Sequence, residues 1–183
     1  VKSRLEVPAE IAKGEAEQKE KWALQTLNAK PLGRFYVGKD NSQVVGYVVE
    51  GETMGYKNKI RFFVALTSNF TVRGVEILEQ EEDPGLGGEI SQKYFKNQFA
   101  GRSAENTAQL TVTKDPYPDE WKKAVVELGA LPYSQWMPKN ESQIPKQIYS
   151  ITGSTISSEA MTVGVQKTLA NFQKRMTLIG GDL

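Results

Sequence analysis

The sequence VVGYVVEGETMGYKNKIRFFVALTSNFTVRGVEIL, which runs from Val44 to Leu78, contains three segments rich in β-branched and aromatic residues. Such residues favour strands. The segments are Val44–Val49, Ile60–Leu66 and Val72–Leu78; turn signals stand between them at Gly51, Lys57-Asn58 and Ser68-Asn69, and before the first at Lys39-Asp40-Asn41. Strands joined by short turns pair in order, so this region predicts an antiparallel meander with one buried face.

Helical patterns follow the predicted strands. The clearest ends at Gly180-Gly181 and has apolar residues at helical spacing, namely Met161, Val165, Leu169, Phe172 and Met176. A second helix is predicted over Asp119–Leu128, with Asp119 as N-cap, Trp121, Val125 and Leu128 on one face and Gly129 after its end. A short helix over Tyr94–Phe99, a strand over Thr111–Thr113 and an irregular loop over 130–148 complete the assignment. We therefore expect a single α+β domain, an antiparallel sheet flanked by helices.

The first 30 residues differ from the rest of the chain. A charged helix is predicted over residues 8 to 28, with only a thin apolar stripe, and we treat 1–30 as a juxtamembrane-type helix preceding a domain over 31–183. The helix is interpreted either as a solvated surface helix or as a stalk that continues from an upstream helix. The sequence begins at Val1. Under the second interpretation we expect a membrane anchor or a signal peptide upstream of it.

Two absences restrict the chemistry of the chain. Among 183 residues there is no cysteine and no histidine, which excludes disulfides, thiolate metal sites, a cysteine nucleophile and a Ser-His-Asp triad. The net charge is +1, so no global field favours nucleic acid. Chemistry would come from a bound cofactor or from an all-oxygen cation site, if the protein performs any.

The segment before the last helix is the first candidate site. Ile151-Thr152-Gly153-Ser154-Thr155-Ile156-Ser157-Ser158 places hydroxyls and free backbone amides at a helix N-terminus, which favours phosphate or another anion. The competing interpretation is a simple cap, in which Ser157 or Ser158 caps the helix within a polar turn.

The second candidate is the loop EQEEDPGLGGEI, residues 79 to 90, which proline and glycines punctuate too strongly for a helix. It lacks the spacing of a P-loop or a dinucleotide-binding turn. Its acidic residues Glu79, Glu81, Glu82 and Asp83 either chelate a cation or form a solvated charged loop. Tyr56, taken alone, is interpreted as a core or hairpin aromatic.

These segments occur in an order that resembles the FMN-binding domain family, which includes the G subunits of Rnf electron-transport complexes and the C subunits of sodium-translocating NADH:quinone reductases (Nqr). The family's E-T-P-G-L-G is similar to Glu82–Gly87, its phenylalanine-glycine-lysine stretch is loosely similar to Tyr94–Arg102, and its [ST]-G-A-T-[IL]-[ST]-S is similar to Thr152–Ser158. The similarity extends over about residues 44 to 176.

The resemblance implies a function for these segments. It implies FMN attached by a phosphoester bond to Thr155 through a flavin transferase, and one-electron relay within a membrane ion-translocating complex, of which the Rnf type is preferred over the Nqr type. Other subunits would be its partners, and an N-terminal transmembrane helix would anchor the domain on the periplasmic side of a bacterial inner membrane. The implied FMN-binding residues are Thr152, Gly153, Ser154, Thr155 and Ser157, then Glu82, Pro84, Gly85, Leu86 and Gly87, and finally Met54, Gly55 and Tyr56.

Two positions depart from the family pattern. Ser154 stands where alanine is usual, and Tyr149 stands where the family has an aspartate three positions before the [ST]-G pair. The second departure favours an alternative, a non-redox assembly or binding module of the same fold without flavin. An FMN-binding regulatory domain is a further alternative.

Overall fold

The computed structural model describes residues 34–128 and 145–179. Four strands form one antiparallel sheet in the order β1-β2-β3-β4. The strands are β1 (Phe35–Asp40), β2 (Gln43–Met54), β3 (Lys59–Thr67) and β4 (Val72–Glu79). The meander predicted from the three β-rich segments is therefore confirmed, and β1 extends it by one strand that the sequence analysis did not identify.

Short helices and a second, smaller sheet follow β4. In chain order they are a 3-10 helix (Gly87–Ser91), α1 (Lys93–Lys96), a 3-10 helix (Asn97–Phe99), α2 (Ala104–Ala108), β5 (Thr111–Thr113), α3 (Asp119–Leu128), β6 (Gln147–Tyr149) and α4 (Thr155–Ile179). Strands β5 and β6 pair in parallel. The short helix over Tyr94–Phe99, the strand β5 and the helices α3 and α4 are confirmed.

The core lies between the sheet and α4. Alternate residues of β3, from Ile60 to Leu66, are buried, as expected for a strand with one face on the core. The predicted apolar stripe of α4 is buried too, and its Phe172 packs edge-on against Tyr47 of β2 with ring centroids 5.2 Å apart. Burying side chains of this size contributes about 1.5–3 kcal/mol each, so this layer dominates the stability of the domain.

Gly51 was predicted to be a turn, and this prediction is wrong. Gly51 lies inside β2, where a Cβ atom would be 2.6 Å from the ring of Phe62 and would also collide with Thr168 of α4. Glycine is there because the strand, the helix and an aromatic ring approach closely, and not because the chain turns.

Other boundaries also differ from the prediction. Asp119 is the first residue of α3 and not its N-cap, residues 87 to 90 form a 3-10 turn and not open loop, and the end of the predicted loop 130–148 is β6. The predicted helix over 8–28, the domain boundary at residue 30, Gly129 and Gly180-Gly181 lie outside the described residues. Among the described helices, none is long and apolar enough to cross a membrane.

Candidate functional site

Three segments that are distant in sequence meet at the N-terminus of α4. They are the β2–β3 turn, the acidic glycine-rich loop after β4, and the turn that leads into α4. Together they surround a pocket of about 480 Å³, within the usual size range of small-ligand sites. The described lining residues are Tyr56, Glu82, Asp83, Leu86, Gly87, Gly153, Ser154, Thr155, Ile156 and Ser157.

Glu82 joins the three segments. Its Oε2 accepts a hydrogen bond from the backbone N–H of Tyr56 at 3.1 Å, and its Oε1 accepts one from Lys57 at 2.9 Å. Ser157 in the first turn of α4 donates its hydroxyl to the same carboxylate. The side chain is only 5% exposed, so the interpretation of this residue as part of a solvated loop is wrong.

The hydrogen bonds to Glu82 determine its charge. Burial alone raises the pKa of a carboxyl group, because it penalises the charged form. Here the bonds from Ser157 and from the backbone of Lys57, Tyr56 and Asn58 outweigh burial and lower the pKa of Glu82 below its ordinary value of 4.5. Glu82 is therefore an ionised acceptor at neutral pH, and its charge is matched by donors.

The acidic residues on either side of Glu82 contact exposed side chains of the β2–β3 turn. Asp83 pairs with the ammonium group of Lys57, and this contact raises the pKa of Lys57. Glu81 accepts a hydrogen bond of 2.7 Å from the side-chain amide of Asn58. These two carboxylates stabilise the β2–β3 turn. Among the described residues no group of three or more His, Cys, Asp or Glu side chains is arranged to hold a metal ion.

The turn into α4 is fixed by its serines. The Ser158 hydroxyl donates to the carbonyl of Ser154 at 2.9 Å and accepts from the backbone N–H of Ile151 at 3.0 Å. Ser154 donates to the hydroxyl of Ser157 at 3.2 Å. The helix begins at Thr155, so Ser157 and Ser158 lie inside its first turn and the prediction that one of them caps it is wrong. The Thr155 hydroxyl takes part in none of these bonds.

Comparison with known proteins decides the family. The FMN-binding domain family matches residues 55–170, which include all three segments of the pocket. The chain belongs to this family. The resemblance inferred from the sequence is thereby confirmed, and so is the single α+β domain.

Relatives of this FMN-binding domain are subunits of ion-translocating complexes. It is 31% identical over 161 residues to the G subunit of the Na(+)-translocating ferredoxin:NAD(+) oxidoreductase complex of Acetobacterium woodii, covering 86% of this chain and 65% of that protein. It is 32% identical over 96 residues to the C subunit of the Na(+)-translocating NADH-quinone reductase of Vibrio anguillarum, covering 52% of this chain and 36% of that protein. The chain thus spans less than two thirds of the length of these relatives.

A solved structure has the same fold. The crystal structure of NqrC from Shewanella oneidensis superposes with a TM-score of 0.58 over 97% of this chain and 79% of that chain, at 13% identity. At this identity the similarity describes the architecture alone.

The predicted FMN-binding residues divide into two groups in the structure. Those that line the pocket are Tyr56, Glu82, Leu86, Gly87, Gly153, Ser154, Thr155 and Ser157. Those outside its lining are Met54, Gly55, Pro84, Gly85 and Thr152. Asp83 and Ile156 also line the pocket, although the sequence analysis did not select them. Both stand inside the two motifs, so each could have been found from its place between selected residues.

Of the two interpretations of Tyr56 from the sequence alone, the core position is wrong, and the residue lies in the turn of the β2–β3 hairpin. It is 64% exposed at the pocket. Leu86 is 44% and Ile156 is 56% exposed there, so three apolar side chains face solvent around one small pocket. Large apolar side chains seldom stay exposed together unless they have a binding role.

Tyr149, which stands in place of the family's aspartate, points elsewhere. Its ring stacks on Tyr117 with centroids 4.9 Å apart and planes 10° apart. It lines a second cavity and not the pocket at α4. This departure from the family pattern therefore removes no side chain from the pocket lining.

Proposed function

We propose that this FMN-binding domain holds FMN in the pocket at the N-terminus of α4, attached by a phosphoester bond to Thr155. We further propose that it relays electrons within a membrane ion-translocating oxidoreductase, in the position that the G subunit has in Rnf complexes. The observation that carries the proposal is the meeting of both family motifs at one pocket, with the Thr155 hydroxyl free of the serine hydrogen bonds.

The helix end of the pocket suits a phosphate. The first amides of a helix lack intrahelical partners and carry the positive end of the dipole, which favours an anion. Thr155 is the first residue of α4 and lines the pocket there. A phosphate bound at this end would have the acceptor hydroxyl beside it without any rearrangement of the serines.

The opposite part of the lining suits a flat apolar ring. The exposed side chains of Tyr56, Leu86 and Ile156 offer apolar contact area that the fold leaves uncovered. Bound FMN would supply the electron-accepting and electron-donating chemistry that a chain without cysteine and histidine lacks. The protein's part would be to hold and orient the ring and to limit its contact with water.

Two carboxylates line the pocket, and neither opposes an anionic cofactor strongly. Glu82 directs its charge to the backbone N–H groups of the turn and to Ser157. Asp83 is paired with Lys57. Because both charges are matched inside the protein, the site keeps the structural benefit of the carboxylates with little net repulsion of a phosphate.

The names of the relatives support the wider part of the proposal. Two of them are the G and C subunits of ion-translocating redox complexes. We propose other subunits of such a complex as partners, a flavin transferase as the attaching enzyme, and a membrane anchor that leaves this domain on the periplasmic side.

The decisive experiment is the intact mass of the chain coexpressed with a flavin transferase. The phosphoester contains one water fewer than the chain plus free FMN. We therefore expect the mass of the native chain and of Thr155→Ser to increase by one FMN less one water, and that of Thr155→Ala to stay unchanged. The matched control is Ser68→Ala, which removes an exposed hydroxyl in the β3–β4 turn, outside both motifs and outside the pocket lining. This control should load as fully as the native chain.

The outcomes separate the alternatives. A full FMN increment on Thr155→Ala would refute attachment at this residue. Yellow colour that leaves with the supernatant on denaturing precipitation would show non-covalent FMN. A colourless, well-folded native chain made with an active transferase would favour the non-redox module.

A further inference from the structure

A second cavity lies apart from the pocket at α4, between α2 and the β5–β6 pair. Its volume is about 850 Å³, and it shares no lining residue with the pocket at α4. Its described lining includes Arg102, Asn106, Gln109, Lys146, Gln147 and Tyr149. These side chains are polar, and none of the described lining residues is acidic.

Arg102 is the unusual member of this lining. The side chain is 5% exposed, so its charge is largely removed from water. Its Nε donates to the carbonyl of Gln98 at 2.9 Å, and its Nη2 donates to the carbonyl of Gln147 at 3.4 Å. No carboxylate of the described residues pairs with it.

A buried charge without a counter-charge is unfavourable. Burial lowers the pKa of Arg102 to about 10, which still leaves the guanidinium charged at neutral pH. Two carbonyl contacts occupy only part of a group that has five N–H donors, and the planar donor fork matches the oxygens of a carboxylate or phosphate. Arg102 lines a cavity large enough for a small organic anion.

We propose that this cavity binds an oxyanion, a carboxylate or a phosphate, through Arg102. Lys146, exposed in the same lining, adds a second positive charge, and the amides of Asn106 and Gln109 add neutral donors and acceptors. The ligand supplies the counter-charge that the fold omits. This site is independent of the flavin proposal, because its residues and its expected ligand do not involve the pocket at α4.

The test is an NMR titration of the full 183-residue chain with inorganic phosphate and, separately, with succinate. Ionic strength is held constant with chloride. We expect a saturable shift of the Arg102 Nε–H signal and of the Asn106 and Gln109 side-chain amides. Saturation with succinate alone assigns a carboxylate, saturation with phosphate alone assigns a phosphate, and saturation with both supports the shared chemistry.

Variants test the assignment without depending on Arg102 alone. Arg102→Lys keeps the charge and loses the fork, so binding should weaken by at least about tenfold. Asn106→Asp places a carboxylate in the lining, near the start of α2 where a negative charge suits the helix, and should weaken binding at least as much. Ala108→Glu is the matched control: it adds the same charge to an exposed position of α2 outside the lining, and binding should change by less than about twofold.

Three results would overturn the proposal. The first is a response to both anions that is no greater than the response to chloride. The second is an unchanged affinity in Asn106→Asp. The third is a set of shifts confined to residues 152–158, which would place any anion in the flavin pocket.

Discussion

Glu82 and Arg102 are opposite charges with the same burial, each 5% exposed, and the fold treats them differently. Glu82 receives hydrogen bonds from the β2–β3 turn and from the first turn of α4, and its charge is matched within the protein. Arg102 has two carbonyl acceptors and no carboxylate among the described residues. A buried charge with matched partners joins segments together, whereas a buried charge without a counter-charge costs free energy, and that cost is why we propose an anion at Arg102.

The largest loss of stability is expected from crowding the Glu82 junction, by which we mean the Glu82 carboxylate with its donors in the β2–β3 turn and at Ser157. In Gly87→Ala the new Cβ would lie 2.6 Å from both the Glu82 carboxylate and the Ser157 hydroxyl. These groups cannot move apart without losing their hydrogen bond, so we expect a loss of about 1–3 kcal/mol in the free energy of unfolding, measured by chemical denaturation. Gly74→Ala is the control, because nothing lies within 4 Å of its Cβ position. Equal losses in the two variants would contradict the close packing at Gly87.

Removing the charge of Glu82 tests the junction more gently. Glu82→Gln keeps the size but directs an amide N–H₂ group toward donors, and we expect a loss of about 1–3 kcal/mol at neutral pH. The native pKa of Glu82 is lowered, so its contribution to stability is present above the ordinary carboxyl pKa of 4.5 and is lost as the pH falls through the native pKa.

The difference in stability between Glu82→Gln and the native chain should therefore narrow in acid. The measurement is the free energy of unfolding of both chains, by chemical denaturation, at neutral pH and at a pH below 4.5. Because the other carboxylates are common to both chains, the difference isolates Glu82. A difference that stays constant across this range would mean that Glu82 is not the group that titrates.

Arg102→Met is the counterpart of Glu82→Gln. The long, unbranched methionine fills the space of the arginine stem, and the variant removes a buried charge that has no carboxylate partner among the described residues. We expect the loss of stability to stay below about 1 kcal/mol, because relief of the desolvation cost offsets two lost hydrogen bonds. A loss as large as that of Glu82→Gln would show that both charges have the same structural role.

The smallest effect on folding is expected at the edge of the Glu82 junction. Lys57 and Asp83 form an ion pair in which both side chains are partly exposed. Lys57→Gln should leave the melting temperature unchanged, since exposed pairs contribute little. Non-covalent FMN binding to Thr155→Ala should weaken when Lys57→Gln is added, and less so in high salt, because Asp83 loses its counter-charge beside the pocket. An effect that does not depend on salt would argue against an electrostatic origin.

The sequence predicted the core well because the core is periodic. Alternation identified β3 and helical spacing identified α4, and both patterns depend only on which face is buried. Strand β1 was missed because all six of its residues are exposed or half-buried, so it lacks a clear alternation. Gly51 was misassigned because a glycine that accommodates a neighbouring helix has the same letter as one that forms a turn.

The site was predicted only in part, for a different reason. The family motifs identified both loops and Thr155, which lines the pocket, but the charge run around Glu82 indicated a solvated loop. Its burial depends on donors 25, 26 and 75 residues away, and no local pattern reports such pairing. Arg102 was noted only as the end of a loose motif, since the lack of a counter-charge is visible only in three dimensions.

Glu82 contacts residues that are far from it in the sequence, and this has a consequence for the order of events during folding. Contacts between residues far apart in sequence cost the most loop-closure entropy. The surroundings of Thr155 are therefore complete only after the sheet has formed and α4 has docked on it. Under the proposed attachment, a transferase that reads the folded pocket would modify only chains that have finished folding, and the flavin would mark a protein that has passed this check.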